Sequence, residues 1–266
     1  MLVDSHCHLK DTRYGKTPSE IVEDSEKDGV VGFINVSTSL QDSFDSSEIS
    51  RKIKSVYSTV GIYPHSDLGK NPADLCNELE KIIDNNPKIV GIGECGIDIP
   101  ADPSKAEDYP LREVNEQKKL FEYQIELALK KNIPVMIHNR NGDEIVLDIL
   151  SKYKSRGLKT IAHCFSSSYE IAKKFLSLGT YISFSGMITY PSRHDLREVV
   201  AKVPDDMFLV ETDSPWLPPQ GHRGELNYPK YVKIVAEKVS QVKEKPYDIV
   251  ASLSTSNACR LFNINL

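Results

Sequence analysis

Short apolar runs alternate with amphipathic stretches along almost the whole chain. The alternation predicts one strand after one helix, repeated, rather than blocks of either kind. Leu2 to His8 reads as the first strand, and residues 17–29 as a helix opened by Thr17-Pro18 and closed by Gly29. Val30–Val36 is the second strand. The stretch 40–54 is expected to be helical, although only Phe44, Ile49 and Ile53 are apolar there. Tyr57–Ile62 is the third strand, stopped by Tyr63-Pro64-His65. Pro72 opens a helix to Asn85 with Leu75, Leu79, Ile82 and Ile83 on its buried face. Ile89–Glu94 is the fourth strand, and an Asp- and Pro-rich loop follows from Ile97 to Pro110. The clearest helix is Leu111–Lys131, with Val114, Phe121, Ile125 and Ala128 at helical spacing. Strands at Ile133–His138, Thr160–His163, Thr180–Phe184 and Met207–Glu211 come next, interleaved with helices over 142–155, 168–178 and 193–202. A Pro/Gly-containing loop spans 214–224, and helices over 228–243 and 247–262 finish the pattern.

Eight strands, each followed by a helix, predict an α/β fold of the (β/α)8 TIM-barrel type with an extra C-terminal helix. The competing arrangement is an open doubly wound sheet. The 266 residues favour the closed barrel as a single domain over 1–266, since such barrels take about 250 residues. Composition adds little to this. Hydrophobic content of 39% and charged content of 27% suit a soluble globular chain. No apolar run reaches the ~18 residues of a membrane span, and the first residues lack a signal-peptide pattern. Five cysteines without framework spacing point to reduced thiols and a cytoplasmic setting. A net charge of −5 argues against a broad basic groove for duplex nucleic acid.

The chemistry gathers at the strand ends. His6 and His8 form a His-x-His pair, whose side chains share one face of a strand. Glu94, His138 and His163 end the fourth, fifth and sixth strands, and Asp213 follows the eighth. In a barrel these six meet at the C-terminal mouth, where barrel enzymes carry their active sites. Four imidazoles and two carboxylates exceed the roughly three protein ligands of one catalytic ion. They suit two divalent cations about 3.5–4 Å apart, bridged by a carboxylate and a hydroxide. Glu94 is the expected bridge, and Asp213 the expected ligand that also takes the proton of the attacking water. Imidazole and carboxylate suit Zn, Mn, Co or Ni, and Mg less readily. Cys7, Cys95 and Cys164, each beside a ligand, are expected to face away and pack. Gly91-Ile92-Gly93-Glu94-Cys95-Gly96 matches a dinucleotide fingerprint in letters only, because no helix is expected to open after it.

With these residues in place, the sequence resembles the TatD family of metal-dependent deoxyribonucleases in the amidohydrolase superfamily. The resemblance runs from Asp4-Ser5-His6-Cys7-His8-Leu9 to Leu261-Phe262. Its most specific pieces are Gly91 to Asp98, His163-Cys164-Phe165-Ser166, Glu211-Thr212-Asp213-Ser214-Pro215 and His222 to Asn227. It implies a (β/α)8 barrel in which His6, His8, Glu94 and Asp213 hold one ion and Glu94, His138 and His163 the other. It also implies a 3′–5′ exonuclease that takes nucleotides from single-stranded or frayed DNA 3′ ends, including in DNA repair. Some relatives carry other hydrolyses, among them D-aminoacyl-tRNA deacylation, so an amidohydrolase-type esterase or amidase is the alternative. A non-catalytic nucleic-acid-binding barrel is a more distant one. The sequence departs from the family pattern at Tyr63, where His is frequent, at Ser167, where Gly is usual, and at Ile99-Pro100, which replace an aromatic pair. His65, Arg140 and Arg223 are the candidate phosphate contacts. Trp216 and Tyr190 are either base-stacking platforms or loop anchors, and His194 and His222 are expected on the surface.

Overall fold

The computed structural model describes residues 1–101 and 110–266; residues 102–109, the middle of the expected Asp/Pro-rich loop, lie outside the described residues. Eight strands run in the order β1 (Leu2–Cys7), β2 (Val30–Asn35), β3 (Val56–Val60), β4 (Ile89–Asp98), β5 (Val135–Arg140), β6 (Thr160–Ala162), β7 (Thr180–Phe184) and β8 (Phe208–Val210). Each pairs in parallel with the next, so sheet order is sequence order. Helices α1 (Pro18–Glu26), α2 (Leu40–Lys52), α3 (Pro72–Asn85), α4 (Val114–Lys131), α5 (Asp143–Ser151), α6 (Tyr169–Ser177), α7 (His194–Lys202) and α8 (Val232–Lys243) follow the strands, and α9 (Tyr247–Phe262) is added at the end. This is a (β/α)8 TIM barrel. No helix among the described residues is long and apolar enough to cross a membrane.

The barrel closes between β8 and β1 through the segment that follows β8. Asp213 N donates to His6 O at 2.9 Å and His8 N to Ser214 O at 2.9 Å. Below them, the buried Asp4 carboxylate accepts from Thr212 N (2.9 Å) and Thr212 Oγ1 (2.6 Å). The barrel interior is filled by Val3, Ile34, Val90, Met136, Ile161 and Leu209, joined by Leu261 and Phe262 of α9. A second apolar layer, including Phe33, Val56, Ile92, Phe121, Val135 and Phe175, lies between sheet and helices.

Several register shifts interrupt the pairing, and two of them, one in β1 and one in β4, orient site residues. In β1, Asp4 pairs with Phe33 and Cys7 with Asn35, three steps against two. Strict alternation from the inward Val3 would turn His6 and His8 outward. The bulge reverses the phase, so Cys7 joins the outer layer and the two histidines face inward. In β4 the shift falls between Ile92 and Cys95, which both face the helices although three apart, and Glu94 points inward between them. β4 does not stop at Glu94, as the sequence suggests, but continues to Asp98; β5 likewise runs past His138 to Arg140. Glycine makes the longer β4 feasible. Gly93 and Gly96 have φ of +131° and +144°, and a Cβ on them would lie 2.4 Å from Met136 O and 2.1 Å from His138 O. The strand runs straight through Gly96 to Asp98, and no helix opens within the described residues 96–101, in keeping with rejection of a dinucleotide site.

Helix α2 also differs from a simple apolar-face reading. Its buried residues are Ser43, Ser46, Ser47 and Ser50, and Phe44 is exposed. Hydrogen bonds supplement the partly buried apolar contacts of Leu40 and Ile49. Gly61 N donates to Ser43 Oγ (3.1 Å), and Ser58 Oγ donates to Ser46 O (2.8 Å). Asn86 Nδ2 sits within 2.9–3.1 Å of Ser47 O, Ser47 Oγ and Ser50 Oγ. Asn86→Ala should therefore cost about 1–3 kcal/mol by stranding buried hydroxyls, whereas Phe44→Ser should stay within about 0.5 kcal/mol. Urea unfolding midpoints of the two variants check this; a larger loss for Phe44→Ser would reject the serine-faced packing.

Candidate metal centre

All six expected ligands meet at the C-terminal rim. His6 Nε2 and His8 Nε2 are 3.0 Å apart. Each is 3.6 Å from Glu94 Oε2, and they lie 3.4 Å and 3.6 Å from Asp213 Oδ1. On the other side, Glu94 Oε1 is 2.8 Å from His138 Nδ1 and 3.2 Å from His163 Nε2. These two imidazole nitrogens are themselves 3.3 Å apart. The two oxygens of Glu94 thus face two separate nitrogen sets. His6, His8 and Asp213 make one group with the spacing of a cation site, and His6, Glu94 and His163 another. Imidazole nitrogen with carboxylate oxygen is a donor set suited to divalent transition metals, so these residues fit a bound cation.

The far sides of the ligands are held as well. His8 Nδ1 lies 3.0 Å from Val36 O, and His6 Nδ1 lies 2.9 Å from Met136 Sδ. His163 Nδ1 is 3.5 Å from Glu211 Oε1, and the His163 ring stacks on His6 with centroids 4.1 Å apart. The Glu211 carboxylate accepts from Cys164 N at 2.7 Å and from Ser183 Oγ. Carbonyls and carboxylates behind ligand imidazoles fix ring orientation and strengthen the donor nitrogen.

Charge explains the protonation pattern. Burial alone would push the Glu94 carboxyl up, but His163, His138 and His6 outweigh it and hold the group well below the ordinary glutamate range. Asp213 is lowered against burial in the same way by His8, His6 and His163. At His163, His138 and His8, burial disfavours the charged ring. Neighbouring carboxylates win there too, and all three are raised. Burial and the nearby His163 charge lower His6.

Asp98 belongs to the site although sequence reasoning leaves it out of the candidate residues. It is fully buried at the end of β4. It accepts from Arg140 Nη2 at 2.9 Å, from Arg140 Nε and from Tyr63 OH, and lies 3.5 Å from His138 Nε2 and 3.8 Å from His65 Nε2. Burial raises its pKa, but His138, Arg140 and Tyr63 together bring it down to about 2. Its signal in the sequence was present but unused: the Gly96-Ile97-Asp98 piece reads as the start of a loop once the strand is ended at Glu94.

A cavity of about 560 Å³ opens above the ligands, lined by His8, Tyr63, His65, Glu94, His138, Arg140, Asp213 and Trp216 among others. Of the candidate phosphate contacts, His65 and Arg140 are in its wall. Arg223 is not, and its guanidinium lies 4.9 Å from the Tyr190 ring centroid. Tyr190 is a loop anchor, donating to Pro218 O at 2.9 Å. Trp216 remains 41% exposed in the cavity wall. Ser167 Oγ donates to the Asp143 carboxylate at 2.8 Å, at the start of α5. His194 and His222 pair with Arg197 and Glu225. Cys7 and Cys95 are buried in the outer layer, and Cys164 is half-buried, 3.2 Å from Ser185 Oγ.

Comparison with known proteins gives a consistent set of relatives. The family model described as TatD related DNase matches residues 3–263. The uncharacterized metal-dependent hydrolase YabD of Bacillus subtilis is 34% identical over 265 residues, covering 100% of both chains. The uncharacterized metal-dependent hydrolase YcfH of Escherichia coli K12 is 32% identical over 267 residues, covering 99% of this chain and 96% of its own. Among solved structures, the TatD homolog YJJV of E. coli superposes with a TM-score of 0.89 at 26% identity, covering 99% of this chain and 98% of that one.

Proton and metal compete for the same nitrogens. The raised His8, His138 and His163 stay protonated to higher pH than a free histidine, and each must lose its proton to ligate. Metal affinity should therefore rise with pH through and above ~6.5, on the order of tenfold per pH unit for each proton displaced. It should fall as the solution is acidified. Calorimetric titration with Zn2+ or Mn2+ in buffers of different ionisation enthalpy measures both affinity and proton release. Affinity that is flat between pH 6 and 8, with no proton released, would reject the assignment.

Proposed function

Because the chain belongs to the TatD-related DNase family and is a metal-dependent hydrolase, we propose that it is a deoxyribonuclease that removes nucleotides from DNA 3′ ends. The observation that carries this reading is the split of Glu94: one oxygen toward His6 and His8, the other toward His138 and His163. Such a carboxylate fits two cations, one held by His6, His8, Glu94 and Asp213 and the other by Glu94, His138 and His163. Divalent cations bound there would acidify a water and neutralise charge building on the attacked phosphate and the leaving oxygen.

The chain's own groups do the rest. Asp213, kept ionised by its histidine neighbours, accepts the proton of the attacking water. His65 and Arg140, in the cavity wall, face the phosphate oxygens, with the Arg140 guanidinium fixed in place by Asp98. His65 Nδ1 accepts from Arg112 N at 3.0 Å, which leaves its Nε2 as the hydrogen-bearing nitrogen of a neutral ring. The partner we infer is a single-stranded or frayed DNA end, since a cavity of about 560 Å³ holds a nucleotide or two rather than a stretch of duplex.

Metal-loaded protein incubated with 3′-end-labelled single-stranded DNA should release labelled mononucleotide with at least one of Mg2+, Mn2+, Co2+ or Zn2+. Glu94→Ala and Asp213→Ala should each lower turnover by on the order of 10²–10³ or more while leaving the circular dichroism spectrum unchanged. No release with any of the four ions would sink the nuclease reading. Turnover of an aryl ester or a D-aminoacyl substrate in the same panel would put an amidohydrolase-type reaction in its place.

A further inference from the structure

We propose that the smaller cleft beside the metal centre, between the ends of β1 and β2 and the Trp216 indole, is a nucleobase subsite. It takes the base of the nucleotide next to the bond that is cut, and this rests on the phosphodiesterase reading above. The cleft has a volume of about 270 Å³ and shares His8, Thr38 and Trp216 with the larger cavity. It is below the roughly 300–1,000 Å³ of a drug-sized pocket, which suits one flat ring rather than a longer segment.

Its wall selects against phosphate. Asp11 and Asp42 line it. The nearby cations are already engaged, Lys10 by Asp45 and Arg13 by Asp11 through two bonds of 2.8 Å. An anionic group would meet the Asp42 carboxylate there and no net positive charge from the Arg13–Asp11 pair, whereas the amino and carbonyl edge of a base meets acceptors and donors. One donor lacks a partner among the described residues. Asn35 is 1% exposed and lines the cleft, its Oδ1 accepts Leu9 N at 2.8 Å, and its Nδ2 is buried without a hydrogen bond. Buried amide hydrogens are paired in most proteins, so this one marks a place for a ligand carbonyl or ring nitrogen.

Trp216 supplies the stacking face. It is a partition between the two spaces, 41% exposed. The Arg13 guanidinium lies 4.3 Å from its ring centroid and His8 meets it edge-on at 4.9 Å. Arg13 covers one face of the indole, and the remaining exposed face stacks any base without reading its sequence. Charge thus sorts the substrate: phosphate over the ligands and His65 and Arg140, base across Trp216 beside Asn35.

Trp216 is the chain's sole tryptophan, so intrinsic fluorescence reports from the cleft itself. Metal-loaded protein should show saturable quenching by a thymidine dinucleotide with a methylphosphonate link, which cannot be cleaved, and none by dimethyl methylphosphonate. Asn35→Asp keeps an acceptor for Leu9 N but loses the donor, and should weaken dinucleotide binding about tenfold or more. Trp216→Ala should lower the preference for a labelled oligonucleotide over methyl 4-nitrophenyl phosphate by on the order of tenfold, through KM more than kcat. Quenching without DNA cleavage would sink the nuclease reading and keep the subsite. Cleavage with no quenching, or with an unchanged preference in Trp216→Ala, would overturn the subsite and keep the nuclease. Neither quenching nor cleavage would overturn both.

Discussion

Six electron-rich side chains are packed at one end of this barrel with donor atoms 2.8–3.6 Å apart, and nearly all of them are shielded from water. That arrangement requires positive charge in its midst. Two carboxylates and four neutral imidazoles would set two negative charges and several nitrogen lone pairs against at most one N–H per ring, in a largely buried cluster where solvent screens them weakly. Protons on His8, His138 and His163 can supply the charge, and divalent cations can supply more of it at a better geometry. The placement of the ligands therefore stabilises the rim only when something cationic sits between them. The rest of the structure serves to hold that unfavourable cluster together.

The holding is done by backbone more than by side-chain packing. The last closure of the barrel consists of Asp213 N to His6 O and His8 N to Ser214 O. The residues that shut the seam are the candidate ligands and their neighbours, so the closure of the barrel and the candidate site coincide. Thr212 is tied to Asp4 by two hydrogen bonds just below. Burial pushes the Asp4 carboxyl well above the ordinary aspartate range, so the tie is made against a desolvation cost. A barrel built for stability alone would place apolar pairs there. Asp213 itself has φ of +56°, a left-handed conformation that aspartate tolerates better than most residues.

The alternation of apolar strands and amphipathic helices made the barrel legible in the sequence, because each half of the repeat has its own period. The candidate ligands were legible as a group because imidazole and carboxylate recur at one end of that repeat. Three things were not legible, each for a physical reason. The fully buried positions of α2 are serines, and a helix that packs largely through hydrogen bonds has only a weak apolar period to detect. The bulge in β1 cannot be seen in a string of letters, although without it the alternation starting at Val3 would turn His6 and His8 toward the helices. The pairing of the two histidines was right for a reason only the coordinates supply. Asp98 was missed because glycines usually end strands. Here Gly93 and Gly96 let β4 press against β5 and carry on, since any side chain at either position would strike a β5 carbonyl.

Asp98 shows why the two halves of the site are not independent. One buried carboxylate holds Arg140, a residue of the cavity wall, and stands behind His138, a candidate ligand. It also binds the Tyr63 hydroxyl, at a position where relatives of the resembled family frequently carry histidine. A shift of His138 toward or away from a cation would move the acceptor that fixes the guanidinium, and the reverse holds as well. Low dielectric makes each of these contacts stronger and makes any unpaired member costly. The departure at Tyr63 is then not a neutral change at the entrance. A phenol donates one hydrogen and takes no positive charge at neutral pH, so Asp98 keeps its full charge for Arg140 and His138. An imidazolium at that position would compete with both for it.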